Sequence, residues 1–188
     1  LSSAEQATSS SINPPNGPGV SDNAGDPDLD QIVGTFGTHN RAILEFDFVP
    51  QGDSVKFDYV FGSQEYPFYV CSNFNDAFGF FLSGPGIAGP FSNAAVNLAV
   101  IPGTSTPVAI NTINDVPGGA SCAAPGCPCN SSFFVNNYTA PTDTNNNIPG
   151  LTISLKAEYA VNCGDTYHIK LAIADAGDGS LDSYVFLE

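Results

Sequence analysis

Acidic residues crowd into two short stretches of this 188-residue chain, and their oxygen atoms are the first candidates for chemistry. Asp175, Asp178 and Asp182 share a loop near the C-terminus, where Gly177 and Gly179 allow backbone conformations closed to other residues. Like charges at that density repel each other unless a cation lies between them. Because all the ligands would be oxygens on a flexible backbone, the loop predicts a hard cation, Ca²⁺ before Mg²⁺.

A second acidic stretch near the N-terminus places Asp26, Asp28 and Asp30 at alternate positions. This spacing resembles the start of a calcium loop, in which alternate side chains point at one ion. It does not match an EF-hand, because Gln31 stands where that loop requires glycine and neither flank has a helical pattern. An Asp-rich turn with solvated carboxylates is the alternative interpretation.

A long loop rich in aromatic residues adds two more carboxylates, Glu65 and Asp76, as a third source of metal ligands. The same loop contains Tyr66, Phe68 and Tyr69, whose rings would suit a platform for stacking on sugars. The alternative is a long loop that packs on itself and whose aromatic residues cap the core.

The elements that must position these residues are β-strands. Strict alternation of apolar and polar residues predicts half-buried strands over 42–48 and 55–61, joined as a hairpin by the turn at 50–53. About nine short strands are expected in all, separated by Gly, Pro and Asn, and no window has a convincing helical period. We therefore expect an all-β fold, a two-sheet antiparallel β-sandwich that is jelly-roll-like, with long loops and little or no helix.

In antiparallel sandwiches the first and last strands are often neighbours. The N-terminal acidic stretch precedes the first predicted core strand, and the C-terminal stretch precedes the last one. We therefore expect both acidic stretches at the same end of the sheets, as one shared cation site or as two separate sites.

The composition limits the partners and the domain count. Residues 1–24, rich in Ser, Asn, Pro and Gly, are expected to form an extended polar N-terminal arm, and residues 25–188 a single sandwich domain. The arm would lie along its own domain or dock on a neighbouring subunit. A net charge of −15 argues against nucleic acid and anionic membrane surfaces as partners. No apolar run approaches the roughly 18 residues of a membrane span, so no membrane insertion is expected.

The cysteines favour an oxidising exterior. The five are Cys71, Cys122, Cys127, Cys129 and Cys163. Two disulfides and one free thiol are expected, with the pairing left open, although a bridge between Cys127 and Cys129 would be strained. The chain begins at Leu1 rather than Met, so we expect a secreted mature form from which a signal peptide has been removed.

Five stretches, taken together and in order, resemble the choice-of-anchor L domain family of bacterial secreted and cell-surface proteins. They are GDPDLDQIVG (25–34), AILEFDFVPQGDSVKFDYVFGSQEYPFYV (42–70), FNDAFGFFLSGPGI (74–87), VIPGTSTPVAINTIN (100–114) and TYHIKLAIADAGDGSLDSYVFLE (166–188). The resemblance implies an extracellular β-rich module and no particular reaction. Gln64 stands where family members usually have the first glutamate of S-E-E-Y-P, which leaves Glu65 alone.

From these patterns we expect a non-enzymatic extracellular structural or adhesive surface module. Ca²⁺ would stabilise it, and it would self-assemble into a filament or surface layer through its N-terminal arm, or join other surface-protein domains. The alternative is a calcium-dependent carbohydrate-binding module. We do not expect an enzyme, because His39 and His168 lie near no recognisable nucleophile motif.

Overall fold

The computed structural model describes residues 1, 24–34, 36–115, 127–138 and 148–188. These residues form nine strands in two antiparallel sheets, together with one short α-helix and two 3₁₀ turns. The helix is α1 (Pro27–Val33), and the strands are β1 (Thr38–Phe48), β2 (Ser54–Ser63), β3 (Ala77–Ser83), β4 (Val96–Asn97), β5 (Phe134–Asn136), β6 (Gly150–Thr152), β7 (Leu155–Ala160), β8 (Tyr167–Ala176) and β9 (Ser183–Leu187). The expected two-sheet antiparallel β-sandwich is confirmed. Most of the predicted arm, residues 2–23, lies outside the described residues.

The first sheet has the strand order β1-β8-β3-β4, so β8 lies between β1 and β3. In the second sheet β2 pairs with β6 and β7 along one edge and with β9 along the other, and β5 pairs with β6. The predicted hairpin between the first two strands is wrong, because β1 pairs with β8 and β2 lies in the other sheet. Alternation shows that a strand has a buried face but does not show which sheet it joins.

Strand β8 is buried on both faces. Its residues that face the second sheet are Tyr167, Ile169, Leu171 and Ile173, and all four belong to the main core. On its outer face, Ala172 and Ala174 pack with Leu29 of α1 and Phe81 of β3 in a smaller cluster. Because side chains alternate along a strand, one element therefore presents residues both to the sandwich interior and to the layer under α1.

Helix α1 occupies the N-terminal acidic stretch itself. Asp26 is its N-cap and accepts hydrogen bonds from the backbone N–H groups of Asp28 at 3.0 Å and Leu29 at 3.1 Å. Pro27 takes the first helical position, and the helix ends at Gly34, where φ is 86°. The stretch predicted as a calcium-type loop is thus the first turn of a seven-residue helix.

Candidate cation site

Lys170 lies on the outer face of β8, beneath α1, and there it balances two acidic side chains. Its Nζ donates to both oxygens of Asp26 at 3.0 and 2.9 Å and to Oδ2 of Asp28 at 2.6 Å. The two carboxylates are almost completely buried, and the Lys170 side chain is 13% exposed. The protein itself therefore supplies the cation for Asp26 and Asp28.

The pKa values of this ion pair agree with its geometry. Burial alone would raise the pKa of Asp28, but the hydrogen bonds from Lys170 and Ser92 outweigh it and hold that pKa below its ordinary value. Burial would lower the pKa of Lys170, but its bonds to Asp28 and Asp26 raise it. Asp28 and Lys170 are therefore held in their charged forms.

Asp30 has a different hydrogen-bond partner from Asp26 and Asp28. Its Oδ1 accepts hydrogen bonds from the backbone N–H and the hydroxyl of Thr38, both at 2.7 Å. Asp30 thus fastens α1 to the start of β1, while Asp26 and Asp28 bind Lys170. The three aspartates do not converge on one point, as the calcium-loop hypothesis for this stretch required.

A second acidic group points into the sandwich interior and consists of Glu65, Asp76 and Asp175; we refer to it as the interior cluster. Asp175 continues the core-facing row of β8, Asp76 directly precedes β3, and Glu65 follows the end of β2 by two residues. The three residues are only 3%, 0% and 2% exposed. The sheets therefore bring together carboxylates that lie far apart in the sequence.

Neutral groups donate hydrogen bonds to two members of the interior cluster. Asp76 accepts from the backbone N–H of Ala176 at 2.9 Å and from the hydroxyl of Ser183 at 2.6 Å. Asp175 accepts from the side-chain amide of Asn40 at 2.9 Å. Oε2 of Glu65 is buried and has no hydrogen-bond partner among the described residues. A buried carboxylate oxygen in that condition is costly unless the group is protonated or meets a cation.

The pKa values of these carboxylates are raised, in part because their negative charges repel one another. Burial raises the pKa of Glu65 to about 8, with further contributions from the charges of Asp178 and Asp175. Burial also raises the pKa of Asp76 well above its ordinary value, and Asp175 and Glu65 add to that shift. The interior cluster therefore resists carrying its full negative charge.

The basic residues of the chain bind elsewhere. The sequence has only four Lys and Arg residues. Arg41 donates to the carbonyl of Gly25, and Lys170 binds Asp26 and Asp28. The remaining two form exposed pairs across β2 and β7, Lys56 with Glu158 and Lys156 with Asp58. None of these contacts reaches the interior cluster.

The C-terminal loop contributes one exposed and one buried aspartate. Asp178 is exposed and accepts from the backbone N–H of Ser180, and its charge acts on Glu65. Asp182 is buried and lies 3.3 Å from the hydroxyl of Tyr184, and burial raises its pKa. Gln64 exchanges two hydrogen bonds with the backbone of Asp182, at 3.0 and 3.4 Å. The residue that departs from the family pattern thus holds the loop rather than the cluster.

The aromatic residues proposed as a sugar platform divide into core and surface. Tyr66 is buried, and its hydroxyl donates to the carbonyl of Ile113 at 2.6 Å, so its ring is a core element and not a surface platform. Phe68 and Tyr69 are exposed, and Phe68 contacts Tyr138 edge-on at 5.5 Å. No sequence pattern pointed to Tyr138, because this residue stands alone in a polar, Asn-rich segment.

One disulfide, between Cys71 and Cys127, ties the aromatic loop to the cysteine-rich segment. Cys163 is exposed and free. Cys129 is buried and is not among the free cysteines, and Cys122 lies outside the described residues. The expectation of disulfide bonding is confirmed for this one pair.

Neither a preformed metal site nor a membrane-spanning helix is present among the described residues. No group of three or more His, Cys, Asp or Glu side chains there is already arranged to hold a metal ion. Within the same residues, no helix is long and apolar enough to cross a membrane. A cation at the interior cluster would therefore need side-chain rotation to complete its ligand set.

Comparison with known proteins gives one match. The family model described as "Choice-of-anchor L domain" matches residues 1–188, the whole chain. Neither the curated proteins nor the solved structures contain a match. The match includes the N-terminal arm and the cysteine-rich insertion, which lie outside the five stretches that carry the resemblance in the sequence.

Proposed function

This chain belongs to the choice-of-anchor L domain family, and on that premise we propose that it is a non-enzymatic structural module stabilised by Ca²⁺. The family points to bacterial cell-surface or secreted proteins, where Ca²⁺ is an available counter-ion for a chain with a net charge of −15. The Ca²⁺ would bind at the interior cluster.

The observation that carries this proposal is the buried, unpartnered Oε2 of Glu65 beside Asp76 and Asp175. Ca²⁺ accepts six to eight oxygen ligands in flexible geometry, and carboxylates and backbone carbonyls of the nearby loop would supply them. A Ca²⁺ ion would also remove the repulsion that raises the pKa values of Glu65 and Asp76.

Glu65→Gln is the sharpest test, because the oxygen that it replaces has no hydrogen bond to lose among the described residues. We expect Ca²⁺ to raise the melting temperature of the parent chain above its value in chelator, and Glu65→Gln to abolish most of that rise. Glu158→Gln, which removes an exposed charge distant from the cluster, is the matched control and should keep the full response. Equal melting of the parent chain in Ca²⁺ and in chelator would refute the site.

We also propose that the module self-associates through its arm, with residues 1–24 of one copy adding to the free edge of β1 in another. Among the described strands, β1 pairs only with β8, and its Ile43, Leu44 and Phe46 are exposed. Within one chain, the carbonyl of Ala24 accepts a hydrogen bond from the backbone N–H of Arg41 on β1 at 3.2 Å, and Leu1 exchanges two backbone hydrogen bonds with Val185 of β9, at 2.9 and 2.8 Å. Addition to another copy would therefore require the arm to leave these contacts with its own chain. An exposed apolar strand edge favours strand addition.

Removal of residues 1–23 tests this route of assembly. We expect the full chain to form oligomers or filaments in light scattering and negative-stain microscopy, and the shortened chain to remain monomeric with an unchanged melting response to Ca²⁺. Assembly of the shortened chain to the same extent would exclude the arm as the linking element.

A second candidate function is calcium-dependent carbohydrate binding, which the exposed ring pair favours. Phe68 is 71% exposed, an unusual position for a phenylalanine without a partner surface. Together with Tyr69 and Tyr138 it would offer rings for stacking on sugar faces. Glycan-array binding that disappears in Phe68→Ala and persists in Phe36→Ala, another exposed phenylalanine, would support this function. Unchanged binding after combined replacement of Phe68 and Tyr69 would exclude it.

A further inference from the structure

The outer surface of the first sheet holds a histidine between two carboxylates. His168 on β8 lies opposite Asp47 on β1, and Glu45 lies two residues before Asp47 on the same face. The Nδ1 atom of His168 is 2.7 Å from Oδ1 of Asp47, and its Nε2 atom is 3.9 Å from Oε2 of Glu45. The imidazole therefore has one close and one distant acidic neighbour.

The 2.7 Å contact between Nδ1 of His168 and Oδ1 of Asp47 determines the tautomer of the neutral imidazole ring. An ionised carboxylate can only accept a hydrogen bond, so Nδ1 must carry the proton that faces Asp47. In the neutral ring, Nε2 then presents a lone pair toward the carboxylate of Glu45. Two acceptors face each other across a gap that is too long for a direct hydrogen bond. Either a second proton or a metal cation between them would offset this arrangement.

We propose that Nε2 of His168 and the carboxylate of Glu45 bind a divalent transition-metal ion, with Zn²⁺ as the ion of choice. Zn–N bonds of about 2.0–2.1 Å and Zn–O bonds of about 2.0–2.2 Å together exceed the 3.9 Å gap, so one ion reaches both atoms. Tetrahedral coordination would bring the two atoms to about 3.4 Å, which rotation of the exposed Glu45 side chain would supply. Asp47 is a positioning residue, because a carboxylate on the other ring nitrogen fixes the tautomer and increases the basicity of the metal-binding nitrogen.

The surroundings leave room for further ligands. His168 and Glu45 line a cleft of about 140 Å³ together with Asp28, Ser92 and Lys170, among other residues. The charge of Lys170 is balanced there by Asp26 and Asp28, so the cleft carries no excess positive charge against a metal ion. With two protein ligands, the ion keeps open positions for water or for a ligand that enters the cleft.

This site is distinct from the proposed Ca²⁺ site in both place and chemistry. It lies on the outer face of the first sheet, whereas the interior cluster points between the sheets. An imidazole nitrogen favours Zn²⁺ or Cu²⁺ over Ca²⁺, which prefers oxygen ligands throughout. The two sites therefore fail or succeed independently in experiments.

The chain has only two histidines, His39 and His168, which supplies a matched control. Zn²⁺ titration by calorimetry is carried out in excess Ca²⁺ and in a Cys163→Ser background, because Cys163 is an exposed free thiol and would compete as a Zn²⁺ ligand. We expect His168→Gln to abolish the binding, Glu45→Gln and Asp47→Asn each to weaken it about tenfold or more, and His39→Gln to leave it unchanged.

Imidazole nitrogen NMR at pH 7.5 gives a readout that a structural role would not change. We expect Zn²⁺ to shift the Nε2 signal of His168 strongly and its Nδ1 signal weakly, with His39 unaffected. A His168 ring that is protonated on both nitrogens and insensitive to Zn²⁺, or Zn²⁺ binding that survives His168→Gln, would overturn the proposal. The melting response to Ca²⁺ should be the same in His168→Gln as in the parent chain, whichever result is obtained for Zn²⁺.

Discussion

Both faces of β8 lie against buried carboxylates, but only the outer face provides a lysine to pair with them. On the outer face, Asp26 and Asp28 are buried against Lys170, which offsets one of their two charges and donates three hydrogen bonds to them. On the core-facing side, Asp175 joins Glu65 and Asp76, and the basic residues of the chain make their contacts elsewhere. The density of acidic residues along a sequence therefore does not identify a cation site. What matters is whether the fold brings a lysine or arginine to the same place.

The difference is energetic as well as geometric. Removal of one partner from a buried ion pair leaves an uncompensated charge, and that costs far more than the pair contributes. Removal of one carboxylate from a cluster of like charges reduces the repulsion among the remaining ones. It is destabilising only when that carboxylate is a ligand of a bound cation. Equivalent substitutions on the two faces should therefore have opposite effects, and the following predictions use that contrast.

The largest effect is expected at Lys170. Lys170→Met keeps the length of the side chain and leaves Asp26 and Asp28 buried without their cation, so we expect a loss of about 3–5 kcal/mol in the free energy of unfolding. For a chain of this size that corresponds to a fall of roughly 10 °C in melting temperature. Chemical and thermal unfolding of the purified chain would measure it.

Lys56→Met is the control for this prediction. Lys56 and Glu158 form a pair whose side chains are 53% and 48% exposed, so the same substitution there should cost less than about 1 kcal/mol. Equal losses at Lys56 and Lys170 would show that the outer-face ion pair is solvated and that the contrast between the two faces is false.

The second prediction concerns the response to Ca²⁺. At about one hundred times its dissociation constant, a ligand that binds only the folded chain adds about 2.7 kcal/mol. This corresponds to roughly 5–10 °C in melting temperature. We expect Asp76→Asn to lose this rise. Asp28→Asn should melt lower than the parent chain but retain the full rise, because Lys170 and not Ca²⁺ is the partner of Asp28. The reverse outcome would place the cation at α1.

The third prediction is a difference in pH dependence. The lowered pKa of Asp28 means that its contribution to stability is present above its ordinary value near 4 and is lost only as the pH falls through the lowered value. Glu65 behaves in the opposite way. Because its pKa is raised to about 8, its contribution is full below its ordinary value and is lost as the pH rises through 8.

In chelator, we therefore expect the free energy of unfolding to fall between pH 5 and pH 8, by about 1–3 kcal/mol after allowance for solvent screening. Saturating Ca²⁺ should remove most of that fall, and Glu65→Gln should flatten it without Ca²⁺. A free energy of unfolding that rises over this range in chelator would show that the interior cluster is solvated rather than buried.

The sequence predicted the sandwich because alternation reports buried strand faces directly. It did not predict the partners of the strands, and it overstated the burial of β1. Leu44 and Phe46 of this edge strand are exposed, whereas Tyr59 and Phe61 of β2 lie in the core. Helix α1 was missed because seven residues hold too few apolar positions for a 3.6-residue period. Its cap signals were nevertheless present in Asp26, Pro27 and Gly34, and these could have identified it.

The candidate ligands could be predicted from the sequence, but their grouping in space could not. Asp76, Glu65 and Asp175 were recognisable as possible ligands, but their selection from eight candidate acids depends on where Lys170 lies. Lys170 is 142 residues away from Asp28, and no local pattern links the two. Tyr66 was likewise assigned to the surface from its neighbours, although its ring packs against Gly150, where a side chain would clash with it.

The smallest effect is expected at Asp178, which is exposed yet follows burial as the next contribution to the raised pKa of Glu65. Asp178→Asn keeps an oxygen that can accept from the backbone N–H of Ser180, so it removes a charge and little else. We expect a Ca²⁺ affinity two- to fivefold weaker in about 0.1 M salt, measured by calorimetry. In 1 M salt the difference should vanish, because the screening length falls to about 3 Å. A loss of a hundredfold or more that persists in 1 M salt would instead make Asp178 a direct ligand, so the C-terminal loop would close over the interior cluster when Ca²⁺ binds.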